Sequence, residues 1–236
     1  MKTLRFLVIS AMVGVALLLG IQSTSHALTL WFDDFSSPMF SVADGSAQDS
    51  NNLPGVVTFI GSIGTWTINV TTGVSKPQIG DAANPQLDLN SVNVTTEAAG
   101  HLRFAVVDSG FTGPISGGVA GPFDFGVGGT TQGTIFFDIF GDATNAENFG
   151  GVTFATSGPF SGPPVAFSGL ASGSFAAGPG PFALGIIADV THTGAASTSF
   201  DAALQGGKVP EPMSLILLGG GLAGVGLYRR LRKPRG

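Results

Sequence analysis

Apolar residues are distributed in two ways along this chain. At each end they form one unbroken run, Phe6–Ile21 and Met213–Tyr228. Between the ends they occur in short runs, or alternate with polar residues, and are separated by Gly, Pro, Asn, Asp and Ser. That pattern is the signature of short strands joined by turns. Strands are predicted at Leu30–Phe32, Val56–Ile60, Thr65–Thr71, Gln86–Val94, Leu102–Val107, Gly133–Phe140, Val152–Ala155, Val165–Leu170 and Phe182–Thr191. Trp66-Thr67-Ile68-Asn69-Val70-Thr71 alternates with period two, which sets Trp66, Ile68 and Val70 on one buried face. Leu87-Asp88-Leu89-Asn90 alternates likewise, with a phase change at Ser91 before Val92-Asn93-Val94. Ser109–Thr134 and Ser157–Pro181, dense in Gly and Pro, are predicted as long surface loops. The expected fold of residues 28–207 is all-β: an antiparallel β-sandwich or jelly roll with its core between two sheets.

The terminal runs ask for a different environment. Lys2 and Arg5 precede the first run, and Gln22-Ser23-Thr24-Ser25-His26-Ala27 follows it with small residues at 25 and 27, the form of a signal peptide cut by signal peptidase after Ala27. The second run has 16 residues and as a helix reaches ~24 Å, short of a ~30 Å hydrocarbon core by a margin that flanking arginines can cover. Arg229, Arg230, Arg232, Lys233 and Arg235 follow it and belong on the cytoplasmic side, which places the body outside. Two independent segments thus predict the same topology: an inner-membrane intermediate with the body in the periplasm.

Gly219, Gly220, Gly221, Gly224 and Gly226 weaken that span as a permanent helix. Val209-Pro210-Glu211-Pro212, the Gly-rich apolar span and the terminal basic cluster together resemble the PEP-CTERM sorting signal of Gram-negative bacteria. The resemblance implies recognition by an exosortase, a membrane cysteine protease or transpeptidase, and association with exopolysaccharide and biofilm matrix. It also implies that Val209, Pro210, Glu211 and Pro212 are the recognition elements, and that the protein ends at the cell surface or outside the cell. The segment Thr65–Phe111 is similar to ectodomains commonly found ahead of such tails, a likeness that carries no assigned chemistry.

Composition then removes several function classes. Seven of the ten basic residues lie in the terminal segments, so residues 28–209 hold three basic and 14 acidic residues, a net charge of -11. That balance opposes nucleic-acid binding, which needs clustered Lys and Arg. The absence of cysteine excludes disulfides, thiolate metal sites and cysteine nucleophiles. Phe occurs 19 times and Tyr once, which reads as core packing rather than a sugar-stacking platform.

Little in the body looks like an active site. His101 and His192 sit in or beside predicted strands, outside any zinc motif. Asp33 with Asp34, or Asp138 with Asp142, are nominal acid pairs for glycoside hydrolysis, which requires two carboxyl groups across one bond. Asp33, Asp34 and Asp124 are also candidate calcium ligands, since Asp and loop carbonyl oxygens suit that ion. Asn69-Val70-Thr71 and Asn93-Val94-Thr95 match a glycosylation tripeptide within predicted strands, and Thr191, Thr193, Ser197, Thr198 and Ser199 form a hydroxyl cluster open to O-linked sugar. The leading expectation is a non-enzymatic, cofactor-free surface or matrix protein. A calcium- or carbohydrate-binding adhesin and a surface polysaccharide hydrolase are the alternatives.

Overall fold

The computed structural model describes residues 28–207. The predicted signal peptide with its cleavage at Ala27, and the whole segment 208–236, lie outside the described residues. The described chain forms strands β1 (Thr29–Asp33), β2 (Phe40–Ala43), β3 (Val56–Ile63), β4 (Trp66–Val74), β5 (Gln86–Thr96), β6 (Gly100–Phe111), β7 (Ile115–Ser116), β8 (Val119–Thr131), β9 (Thr134–Asp142), β10 (Val152–Ser161), β11 (Val165–Ala176), β12 (Phe182–His192) and β13 (Ala196–Gly206). Every pairing is antiparallel. Among the described residues no helix is long and apolar enough to cross a membrane.

Two sheets result. The first has the order β10-β9-β12-β6-β1-β2, and the second β11-β8-β13-β5-β4-β3 with β7 beside β8. From β5 onward, setting aside the two-residue β7, the strands β5, β8, β11 and β13 stand in one sheet and β6, β9, β10 and β12 in the other. The neighbours β5–β13, β6–β12, β8–β11 and β9–β10 are the four rungs of a ribbon wound on itself, which is the jelly-roll arrangement of eight strands. β1 and β2 extend the first sheet, and β3 and β4 the second.

The core lies between the sheets. Leu30, Phe32, Phe104, Val106, Phe137, Ile139, Ile186 and Val190 face Ile68, Leu89, Val94, Phe123, Phe125, Phe200 and Leu204, all buried. Phenylalanine supplies most of its volume, with T-shaped and stacked contacts such as Phe137–Phe200 at 5.0 Å and Phe104–Phe200 at 5.5 Å.

Both predicted long loops are in large part strand. β8 lies inside Ser109–Thr134 and pairs with β11 on one side and β13 on the other. β10 and β11 occupy most of Ser157–Pro181 and the residues just before it. The glycines there serve close packing: a Cβ on Gly129 would lie 2.3 Å from the Ser199 carbonyl oxygen, and one on Gly173 would lie 2.3 Å from that of Phe154. β2, β7 and β13 were also absent from the expected strands, although β13 buries Thr198, Phe200, Ala202 and Leu204 at alternate positions.

The phase change expected at Ser91 is a β-bulge. Asn90 and Ser91 together oppose Asp201, Ser91 adopts φ 54°, and its N–H donates to Asp201 Oδ1 at 2.7 Å. In β4 the alternation runs from Trp66 to Ile68. A register shift then moves the inward positions to Thr71 and Gly73.

Strand register defines two poles. Leu28, Gln86, Phe111, Phe182 and Gly206 stand at one, here called proximal; Asp33, Thr96, His101, Thr134 and His192 stand at the other, the distal pole. Leu28 accepts the Asp44 N–H, and the Gly207 N–H donates to the Pro122 carbonyl at 3.4 Å. The described chain therefore enters and leaves at the proximal pole.

Candidate functional site

The outer face of the first sheet carries the most unusual constellation, at its distal end. β1 ends in Asp33-Asp34, and both carboxylates fold the next residues back. Asp33 Oδ1 accepts the Phe35 N–H at 2.8 Å, while Asp34 accepts the N–H groups of Ser36 and Ser37 (3.2 and 2.8 Å) and both hydroxyls (2.8 and 3.3 Å). Burial opposes ionisation of Asp34, but the hydrogen bonds from Ser36 and Ser37 outweigh it and hold its carboxyl below the usual range. The turn leaves Phe35 at φ 58° with 51% of its surface exposed. A left-handed backbone costs a residue with a Cβ about 1–2 kcal/mol, so the surrounding contacts hold this ring against strain.

Those contacts are ionic and aromatic. The Phe35 ring stacks on His101 (4.3 Å between centroids, 15° between planes), and the Arg103 guanidinium lies 5.1 Å from the Phe35 centroid. His101 Nε2 and Arg103 Nε lie 2.7 and 3.1 Å from the two carboxylate oxygens of Asp189. Alternation along β6, β9 and β12 sends His101, Arg103, Asp138 and Asp189 to this face. Burial, reinforced by the charge of Asp189 and opposed by that of Arg103, pushes the Asp138 carboxyl up.

Toward the proximal pole the same face is covered. Residues 143–151 cross it as a strap, with Phe149 T-shaped on Trp31 at 5.8 Å. Ala105, Val107, Phe140 and Ala183 form a second small apolar cluster around that contact. Glu147 pins the strap by accepting from Ser109 Oγ (2.7 Å) and Thr29 Oγ1 (3.2 Å), and Asn145 Oδ1 accepts the Gly110 N–H at 2.6 Å. Burial pushes the Glu147 carboxyl up against those hydrogen bonds. The outer face is thus closed at its proximal half and open around Phe35.

A cleft of about 740 Å³ opens at the proximal pole between residues 54–55, 76–82 and 108–110. Its wall holds Asp108, 1% exposed, which accepts from Lys76 Nζ at 2.7 Å, Ser75 Oγ at 2.5 Å and its neighbour's N–H at 2.8 Å. Lys76 also donates to the Ser109 carbonyl and sits 4.1 Å from the Phe111 ring centroid. Lys76 and Asp108 are engaged with each other, while the two other carboxylates of the lining cap turns: Asp44 accepts the Gly55 N–H at 2.7 Å, and Asp81 accepts the N–H groups of Ala83 and Asn84 at 2.7 and 2.8 Å.

The structure separates the three calcium candidates. Asp33 and Asp34 cap one turn beside the first sheet, whereas Asp124 lies on β8 in the second. Among the described residues no group of three or more His, Asp or Glu side chains forms a metal cluster. Of the nominal acid pairs, Asp142 caps its own turn through the Thr144 N–H and hydroxyl, both at 2.6 Å, and Asp138 faces Asp189 instead. His192 is buried against Trp66, bonded to Thr198 Oγ1 at 2.9 Å, and burial pushes its imidazole pKa down. Phe35, Arg103 and Asp189 were not among the sequence candidates. The signal for Arg103 was the alternation His101-Leu102-Arg103-Phe104, whereas nothing in sequence marks the turn that raises Phe35.

Val209, Pro210, Glu211 and Pro212, with Arg229, Arg230, Arg232, Lys233 and Arg235, lie outside the described residues. Residues 208–233 match the family model of the PEP-CTERM protein-sorting motif. The chain carries a PEP-CTERM sorting motif. A PEP-CTERM motif marks a protein for export and surface-directed sorting, with an exosortase as its processing enzyme. The PEP-CTERM match begins where the body ends, and no curated protein matches the chain. Among solved structures, TmCBM61 in complex with beta-1,4-galactotriose is 9% identical over 61% of this chain and 90% of that one, with TM-score 0.26. The CBM22-1 xylan-binding domain of Paenibacillus barcinonensis Xyn10C is 11% identical over 68% and 92%, with TM-score 0.27. The family 11 carbohydrate-binding module of Clostridium thermocellum is 12% identical over 78% and 98%, with TM-score 0.25. At these TM-scores the likeness supports no further argument.

Proposed function

We propose that this is a non-enzymatic protein of the cell surface or extracellular matrix. It is exported by a cleaved signal peptide and held briefly in the inner membrane by residues 213–228. An exosortase then processes it at Pro210-Glu211-Pro212. The match of residues 208–233 to the sorting motif carries this reading. Proline fixes φ and biases the residue before it toward extended backbone, the backbone form a protease reads, which supports the tripeptide as the recognition element. Alanine at 210, 211 and 212 leaves full-length protein in the inner membrane of an exosortase-bearing host. Release of that variant at the wild-type rate, read by intact mass of each cell fraction, refutes the reading.

A second reading rests on the open distal patch: the body binds exopolysaccharide there. A half-exposed ring held in a strained conformation, with an arginine and carboxylates around it, offers both a stacking face and hydrogen-bonding groups for a sugar. Asp33, Asp138 and Asp189 outnumber Arg103, which favours neutral over acidic polymer. Phe35→Ala lowers affinity for extracted neutral polysaccharide at least tenfold in calorimetry; unchanged affinity removes the patch from the binding surface. The same samples test the non-enzymatic and cofactor-free parts. Polysaccharide turnover lost in Asp138→Asn overturns the first, and saturable calcium uptake lost in Asp33→Asn overturns the second.

A further inference from the structure

A sandwich has four sheet edges, and an unpaired edge is a template for another strand unless something blocks it. Three of the four edges here carry such protection. β2 is only four residues long. β3 is covered by the preceding segment: Thr58 donates its N–H to Asp49 Oδ1, and its carbonyl accepts from the Ser50 N–H and hydroxyl, each at 2.9 Å. β10 contains Pro159 and two register shifts. β11 has none of these devices. Its 12 residues contain no charge and no proline, and the one irregularity in its pairing is an extra residue on β8, at Gly121-Pro122. Among the described residues no strand pairs with its other side.

We infer that β11 is the interface through which two copies of this chain associate, strand against identical strand, antiparallel about a two-fold axis at Ala171. The sequence of β11 is a near-palindrome about that residue. Reading outward from Ala171, Gly169 matches Gly173, Ser168 matches Ser174, Phe167 matches Phe175 and Ala166 matches Ala176. An antiparallel pair centred there sets these four pairs of residues opposite their own kind, glycine to glycine, serine to serine, phenylalanine to phenylalanine and alanine to alanine. A two-fold contact requires this self-complementarity.

The exposed surface agrees with the same axis. Leu170, 88% exposed, is the most exposed of the large hydrophobic residues among those described. In the paired strands it stands opposite Ser172 of the second copy and diagonal to that copy's Leu170. A depression of about 420 Å³ lined by Asp124, Phe125, Leu170, Ala171 and Ser172 lies beside it, between β8 and β11. The lack of charge on β11 matters because the body is strongly acidic, and copies that met along a charged edge would repel. Underneath, Gly169 and Gly173 let β10 approach β11 closely, so the sandwich is closed while the edge and outer face of β11 remain free.

The absence of native cysteine makes a direct test available. Full-length protein carrying Leu170→Cys is treated in detergent with a short bis-maleimide, since diagonal cross-strand neighbours lie about 7–8 Å apart. Covalent dimer is expected at 170 and at most a trace from Val152→Cys, an exposed site on β10. No dimer at 170, or equal yield at 152, overturns the proposal. In parallel, Leu170→Lys weakens association at least tenfold in sedimentation of the full chain, with an unchanged circular dichroism spectrum. Association that persists in Leu170→Lys also overturns it.

Discussion

Single residues show where backbone strain and burial are set against hydrogen bonds. Ser91 holds φ 54° because the bulge opposite Asp201 demands it, and a glycine there adopts the same conformation without a Cβ penalty. Ser91→Gly is therefore expected to stabilise the fold by about 1 kcal/mol in urea unfolding, with an unchanged m-value. Titration gives a second expectation. Burial raises the native carboxyl pKa of Asp88, Asp138 and Glu147, so the native state binds protons more tightly than the unfolded one. Their contribution is most favourable in acid and falls as pH rises from the ordinary carboxylate range through the raised values. Asp34 and Asp81, held low by hydrogen bonds, act in the opposite sense and lose their contribution as pH falls below 3.8. Asp138→Asn should raise the melting temperature near pH 7 and leave it nearly unchanged near pH 4; an equal rise at both pH values contradicts the assignment.

At the scale of elements, alternation was the legible quantity. It located β4 and β5 and marked Ser91 as the break in β5, while short apolar runs located β6 and β12. It was present in β8 too, as Phe123-Asp124-Phe125-Gly126-Val127, but the surrounding glycines and prolines read as loop. The reason is physical: here glycine supplies absent volume at strand crossings, not turn geometry. Gly129 is such a position, with the Ser199 carbonyl and Phe200 filling the place of a side chain. Gly129→Ala is expected to cost about 1–3 kcal/mol by overpacking, where the same change at Gly194, with open space around it, costs little. The candidate site was less legible than the fold. Asp33 and Asp34 were visible as an acidic pair, yet their carboxylates are spent on a turn whose product is the position of Phe35. A turn of that kind is specified by hydrogen bonds that only the folded chain brings together.

For the whole molecule, one buried ion pair joins the β4–β5 connection to β6. Asp108 is almost wholly enclosed, and Lys76 is its cationic partner. Lys76→Ala leaves that carboxylate without its counter-charge and is expected to cost about 3–5 kcal/mol, measured by thermal or urea unfolding. A loss below 1 kcal/mol would mean that Ser75 and water satisfy Asp108 unaided. The poles of the sandwich have a further consequence for where it can act. β13 spans Ala196–Gly206, about 35 Å, and leads directly to the exit at Gly207. Residues 208–212 reach at most about 17 Å when fully extended, so a copy still held at residues 213–228 cannot turn end over end. On the proposed membrane hold, the proximal pole therefore stays beside the membrane. Two copies that both stand upright in one membrane point the same way, an arrangement that does not allow the antiparallel pairing inferred for β11. On that proposal the β11 pairing belongs to molecules already set free, and exosortase cleavage is the step that permits copies to join.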